Sequence, residues 1–254
     1  MPLVIDFENA FLESTFPITV SSQKVGYRKE NLRNQDPYSP FAFDACADER
    51  ITLDMLNARS CFHRISFCNT NMTKDAQLYL ESTDDGDFSS PINSFPFSAP
   101  PFIYNLGTNI QAFKTFTFIP DNNVSCERYI SLRVVDPTNP DGYVYFGTIA
   151  VGGFYTTDEM YIDLSSLEIN YNTNTQKTYR SMSKQVYQSQ TRLRKNVKFT
   201  LSNVGTDIQQ IFRKIDKAGL ERNTFISIAP DPSTPQYGSM AFYGNFNSIG
   251  IQEK

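Results

Sequence analysis

The sequence predicts a mainly β chain. The expected architecture is an antiparallel, jelly-roll-like β-sandwich over residues 51–254, one short amphipathic helix at about residues 206–218, and an extended N-terminal arm over residues 1–50. Three observations carry this expectation. Apolar and polar residues alternate with period two in successive runs after Ile51, the pattern of half-buried strands. Clusters of Gly, Pro, Asp and Asn separate those runs. Aromatic residues are abundant, with 21 Phe and 14 Tyr, and such side chains suit a pleated surface. With 254 residues the chain is long enough to bury a substantial core.

Residues 1–50 read as an arm because Pro2, Pro17, Pro37 and Pro40 interrupt short apolar pieces such as Phe16–Val20, and GYRKENLRNQDPYSP is polar without a period. Such a segment either packs on the core that comes after it or lies on a neighbouring subunit. The second option makes it an assembly segment whose removal (residues 2–45) leaves the sandwich folded. From Ile51 the strand pattern begins. RSCFHRISFCNT sets Cys61, His63, Ile65 and Phe67 against Phe62, Arg64, Ser66 and Cys68. This strand is expected to pair with a distant one, as Greek-key connections require. AQLYLEST continues the pattern with Leu78 and Leu80 and ends at an Asp85-Gly86 turn. Ser89–Tyr104, rich in Pro, Ser and Phe, reads as an irregular crossing loop. FKTFTFIP, RYISLRVVD and YVYFGTIAVGGFY alternate again, the last two separated by a Pro140-Asp141-Gly142 turn. An Asn/Thr-rich connection leads to a basic alternating strand around Arg192–Lys198. In the helix, Ile208, Ile211, Phe212 and Ile215 share one face. Thr206 with Gln209 has capping-box spacing and Gly219 is placed to end it. FISIAP and SMAFYGNF read as two closing strands.

Composition narrows the function classes. A net charge of −4 and a pI near 5.1 give no global attraction to nucleic acid or to an anionic membrane, so neither is expected as a partner. No apolar run approaches the ~20 residues needed to cross a bilayer. The first residues lack the basic and apolar regions of a signal peptide, so none is expected. The sequons at Asn71-Met72-Thr73 and Asn123-Val124-Ser125 therefore read as chance matches. Cys46, Cys61, Cys68 and Cys126 form no CxxC pair and read as reduced, partly buried thiols.

The sequence shows no catalytic, cofactor or metal residues. His63 is the single histidine and sits within a strand pattern, where it reads as a packed or hydrogen-bonded residue. GxSxG, HExxH, the P-loop and GxGxxG are all missing. Asp84, Asp85 and Asp87 around Gly86 lack the later bidentate carboxylate of a calcium loop and read as a solvated hairpin turn. Two candidate interaction features remain. Arg192, Arg194 and Lys198 would share one face of a strand, opposite Leu193, Val197 and Phe199, as a solvated sheet face or a subunit-interface patch. Tyr143, Tyr145, Tyr155 and Tyr161 are candidate glycan or interface aromatics, since Tyr serves in both.

The second half of the chain resembles a known family. RYISLRVVDPTNPDGYVYFGTIAVGGFY is similar to the "aryw-ri-i-D-P-NP-gy-i-iGri-lG" stretch of minor structural proteins from tailed bacteriophages. The similarity continues through SMSKQVYQSQTRLRKNVKFTLSNV and closes with FISIAPDPSTPQYGSMAFYG, while RSCFHRISFCNTNMTKDAQLYLEST matches their front strand pair more loosely. It spans residues 58–250, and this chain departs from the family in having no Trp. The resemblance implies a virion component of the tail tip, baseplate or neck with a jelly-roll fold. It would assemble in the host cytoplasm as a homo-oligomeric ring with other tail proteins, and it implies no catalytic residue. The competing expectation is a carbohydrate-binding module that recognises a glycan of the host cell surface.

Overall fold

A computed structural model of the chain describes residues 3–6, 9–34, 36–56, 64–73, 75–98, 115–118, 127–152, 155–157, 161–174, 177–179, 186–188, 192–202, 213, 223–228 and 241–244. Its strands pair antiparallel throughout these residues, so the mainly β, antiparallel expectation is met. The expected helix at 206–218 lies outside the described residues except for Arg213, which is helical. His63, Cys61, Cys126 and Asn123 also lie outside them.

Two sheets enclose the main core. The first has five strands in the order β2 (Ile18–Val20), β4 (Glu49–Asp54), β9 (Tyr129–Val135), β6 (Gln77–Thr83) and β7 (Asn93–Ser98). The second has the order β3 (Phe41–Ala42), β10 (Tyr145–Gly152), β5 (Arg64–Thr70) and β8 (Thr115–Phe118). Period two decides what faces inward: Ile51 and Leu53 of β4 are buried while Arg50, Thr52 and Asp54 are less so. Ile130, Leu132 and Val134 of β9 and Leu78 and Leu80 of β6 join Ile65, Phe67, Ile149 and Val151 of the facing sheet. Phe43, Phe146 and Phe67 form a chain of ring contacts through the middle, with centroids 6.3 and 5.6 Å apart. As expected, β5 pairs with strands far from it in sequence.

A third sheet lies against the outer side of β5 and β10, in the order β11 (Tyr155–Thr157), β1 (Leu3–Asp6), β16 (Thr224–Ile228) and β17 (Ala241–Gly244). Phe225 packs with Cys68 and Ala150, and Tyr243 adds a ring 4.5 Å from that of Phe225. Both faces of β5 are therefore covered: Ile65, Ser66, Phe67 and Cys68 are all buried. The FISIAP and SMAFYGNF runs do pair as strands, but with β1 beside them, which joins the two ends of the chain in one sheet.

Three expectations change. Residues 3–43 are knitted into the chain's own core, the first of the two options open to that segment. Phe11, Ile18, Leu32, Phe41 and Phe43 are buried with the side chains of both sheets. The Arg33 guanidinium donates to the carbonyls of Phe11, Glu13 and Phe16, and Lys29 donates to that of Ile18 at 3.1 Å. Where the two-residue β3 leaves the edge of β10 uncovered, the Asn9 amide bonds Ile149 O and Val151 N at 3.0 and 3.3 Å. With Phe11, Ile18, Leu32, Phe41 and Phe43 buried at home, these side chains give the segment no motive for docking on a neighbouring subunit. Second, Ser89–Tyr104 contains β7. Pro96 sits in that strand opposite Tyr79, which is tolerated because β7 is an edge strand. Third, the Asn/Thr-rich connection is not a loop as far as Asn174, because it forms most of β12 (Tyr161–Asn174), paired with β15 (Arg192–Ser202). Between them in sequence, β13 (Lys177–Tyr179) pairs with β14 (Val186–Gln188) as a separate two-stranded sheet.

Candidate functional site

The connection from β9 to β10 carries the best-built polar surface among the described residues. Asp136 is fully buried, and its carboxylate accepts hydrogen bonds from Thr73 N at 3.0 Å, Thr73 Oγ1 at 2.5 Å and Asn139 Nδ2 at 2.9 Å. Its own N–H donates to Cys46 O at 2.8 Å. Asn139 O accepts from Gly142 N at 3.1 Å, closing the turn in which Gly142 takes φ +71°. This is the Pro-Asp-Gly turn expected from sequence, and φ > 0 is why glycine stands there.

Asn71 then fixes the residues after the turn. Its Nδ2 donates to Asp141 Oδ2 at 2.9 Å and to Tyr143 O at 2.8 Å, and its Oδ1 accepts from Tyr145 N at 2.8 Å. Both ends of this amide are engaged, so attaching a glycan to Nδ2 would break one of these bonds. Tyr143 and Tyr145, two residues apart on either side of buried Val144, are thereby presented on the same side of the chain.

A second loop meets them. Lys24 N donates to Ala42 O at 3.0 Å, and Tyr27 N to Lys24 O at 3.1 Å, a turn that needs Gly26 at φ +89°. The Tyr27 and Tyr143 rings lie 6.3 Å apart at 48°, and Lys24 Nζ sits 3.7 Å above the Tyr143 ring. Partial burial raises the Tyr143 hydroxyl above its ordinary pKa, helped by nearby Tyr27 and Asp141. Burial raises Tyr145 as well, with Asp141, Tyr143 and Tyr27 adding to it. Tyr27, Tyr143, Tyr145, Lys24 and Asp141 thus form one half-exposed cluster, drawn from two loops more than a hundred residues apart. Chemically it offers aromatic faces beside one cation and one carboxylate, a surface for stacking and hydrogen bonding.

The other sequence-predicted residues lie elsewhere. Tyr155 is in β11 opposite Ile5, and Tyr161 opens β12 opposite Ser202; their side chains are outside the described residues. Arg192, Arg194 and Lys198 fall in β15 opposite Asn174, Asn172 and Glu168. Lys198 and Glu168 are both exposed. Sequence reasoning missed Lys24 and Tyr27, whose segment shows no period. The usable signal was a Lys, a Gly and a Tyr close together in an irregular loop, where binding residues concentrate.

A second polar surface, the outer face of the five-stranded sheet, is matched within itself. Arg128 grips Asp54 with two bonds of 2.8 Å and Arg133 grips Asp48 with two of 2.7 Å. Arg50 pairs with the buried Glu81. The hydrogen bond from its arginine holds each of Asp48 and Asp54 below the usual carboxylate range. Asp85 closes the expected hairpin turn, accepting from Thr83 Oγ1 at 2.6 Å and Asp87 N at 2.9 Å. Among the described residues no group of three or more His, Cys, Asp or Glu is placed to hold a metal.

No family model matches the chain, and no curated protein matches it. Among solved structures it is similar to a His 62 mutant of the lectin-binding domain of lectinolysin complexed with Lewis b. That likeness has 10% identity and a TM-score of 0.40, covering 58% of this chain and 96% of the other. CBM32-1, from a family 31 glycoside hydrolase of Clostridium perfringens, aligns at 13% identity and a TM-score of 0.38 over 55% of this chain and 95% of its own. The family 32 module of Clostridium perfringens NanJ, in complex with galactose, aligns at 5% identity and a TM-score of 0.38, over 61% and 100%. Likeness of this degree places no binding site on the chain.

Proposed function

We propose that the chain is a non-enzymatic β-sandwich that binds carbohydrate through the Tyr27–Tyr143–Tyr145 cluster. The observation that carries this is the convergence of three half-exposed tyrosines with Lys24 and Asp141 on a turn held rigid from below by Asn71 and Asp136. A sugar presents an apolar C–H face to stack on an aromatic ring and a rim of hydroxyls to bond Lys and Asp. Rigid aromatic anchors lose little entropy on binding. Lys24 already lies over one face of Tyr143, so the ligand would use the Tyr27 side or displace the ammonium group. The test is a glycan array, then titration calorimetry with the full chain. Tyr27→Ala and Tyr143→Ala should each weaken binding roughly 2–10-fold, from the ~0.5–1.5 kcal/mol attached to aromatic contacts. Binding that survives both substitutions, or no binding to any glycan, would end this reading.

A second reading comes from the resemblance to tailed-phage structural proteins: a tail subunit located in the virion. The structural feature that favours it is the long β12–β15 hairpin, which no third strand joins among the described residues. Mass spectrometry of purified particles tests it, and absence of the chain from particles would exclude it. The two readings are compatible, since a tail subunit that binds glycan would attach the particle to its host.

A further inference from the structure

The β12–β15 hairpin has two features that the glycan reading does not use. Its strands are long, 14 and 11 residues; a register shift between Asp163 and Glu168 interrupts β12, and the regular ladder from Glu168 to Asn174 spans about 23 Å at ~3.3 Å per residue. Both outer edges are open among the described residues. In an antiparallel pair the ladder uses alternate backbone groups of each strand, and the remainder point outward. A lone two-stranded ribbon is marginal in water, and open edges are templates for another strand.

Charge says which strand. β15 carries Arg192, Arg194, Lys195 and Lys198 and no acid; β12 carries Asp163 and Glu168 and no base. Within the ribbon only Lys198 stands opposite an acid, Glu168. Arg192, Arg194 and Lys195 stand opposite Asn174, Asn172 and Tyr171, and Asp163 stands opposite Thr200. Pairing β15 with its own copy across a two-fold axis would bring cation rows together. Pairing β12 with its own copy would oppose acids. Like charges across a ladder are destabilising.

We propose that the β15 edge of one copy accepts the β12 edge of the next copy of this chain, head to tail. A heterologous contact of this kind does not close on two copies; it generates a ring, or an open filament if the rotation does not close. From Glu168 to Asn174 the register also sorts the ribbon into two faces. Arg192, Arg194, Asn196 and Lys198 share one with Glu168, Asn170, Asn172 and Asn174, while Leu193, Lys195 and Val197 share the other with Ile169, Tyr171 and Thr173.

The test uses light scattering and sedimentation on the full chain across a concentration series, with an Arg192→Glu/Arg194→Glu double variant. Those residues stand opposite uncharged positions within the ribbon, so the substitution leaves the Lys198–Glu168 position untouched. The wild type should run as a species of three or more copies, and the variant as a monomer with unchanged circular dichroism and melting temperature. Hydrogen exchange on the wild type gives a second measurement should the variant misfold. Outward amides of β12 and β15 should be protected in the assembly and lose protection on dilution. A wild type that stays monomeric at all concentrations overturns the proposal. So does a strict dimer, an assembly indifferent to the double variant, or edge amides whose protection does not change with dilution.

Discussion

Gly147 gives the sharpest test of how the site is held. It lies in β10 between Phe146 and Thr148, and a Cβ placed on it would meet Pro37 O at 2.4 Å, Asn69 Cβ at 2.8 Å and Cys68 O at 3.0 Å. The nearest of these atoms is backbone and cannot rotate away. Opposite Gly147, Asn69 takes φ +59° and donates its amide to the same Pro37 carbonyl at 2.6 Å. The loop over residues 36–38, which leads into β3 and so to the Ala42 carbonyl that holds Lys24 N, is thus seated on the sheet through one close backbone approach. Gly147→Ala must lift residues 36–38 by most of an ångström and stretch the Asn69 bond. Overpacking costs about 1–3 kcal/mol and the weakened hydrogen bond about 0.5–1.5 more. For a chain of this size, a total of roughly 2–4 kcal/mol lowers the melting temperature by roughly 4–16 °C. Gly244 is the control, since a Cβ there meets nothing within 4 Å. Calorimetry of the two alanine variants decides the matter. Equal melting temperatures for Gly147→Ala and Gly244→Ala would refute the argument that this contact seats the loop.

Two further outcomes are expected. Deleting residues 2–45 should abolish cooperative unfolding, because it removes Phe11, Ile18, Leu32, Phe41 and Phe43 from the core. At ~1.5–3 kcal/mol each the loss is about 7–15 kcal/mol, comparable with the whole stability of a domain; a soluble truncation with a sharp melt would contradict it. Stability should fall at both ends of the pH scale. Asp48, Asp54 and Asp85 have depressed pKa values, so their contribution is present above about pH 4 and is lost as pH falls through the folded values. Tyr143 and Tyr145 are raised, so the neutral form is favoured in the fold and stability declines once pH exceeds about 10, the ordinary tyrosine value. The acid limb should be shallow because these pairs are partly exposed, and Asp48→Asn/Asp54→Asn should flatten it. An acid limb unchanged in that double variant would rule out the assignment.

The legible part of the fold was its inward-facing alternation. Ile51, Leu53, Ile65, Phe67, Leu78, Leu80, Ile130, Leu132 and Val134 are spaced by two, and the structure buries all of them in one core. The turns at Gly86 and Gly142 were equally readable, since both take the positive φ that glycine supplies. What stayed hidden has a common cause: pairing decided by distant partners. Leu3–Asp6 is too short to declare itself a strand, and its partners are Tyr155–Thr157 and Phe225–Ile228. Asn170–Asn174 has poor strand propensity and is held in β12 by its register with Arg192–Asn196. In the candidate site, Tyr143 and Tyr145 could be picked out as aromatics on an alternating run. Lys24 and Tyr27 reach them only through backbone bonds to Ala42 and through the turn at Gly26.

The third sheet adds a reason to expect that the segment read as an arm does not separate from the rest of the chain. β1 is flanked by β11 on one side and β16 on the other, so its removal leaves two strands with open edges above the apolar outer side of β5 and β10. Ala150 and Cys68 would then lose the cover that Phe225 and Tyr243 provide, since β16 is held against them in part by β1. The same N-terminal stretch continues through Asn9, which bonds the edge of β10, and through Lys24 and Tyr27, which build half of the aromatic cluster. Core, sheet edge and candidate binding surface are therefore served by one continuous segment. Damage to that segment should lower stability and ligand binding together, whereas Tyr27→Ala, at a half-exposed position, should lower binding alone.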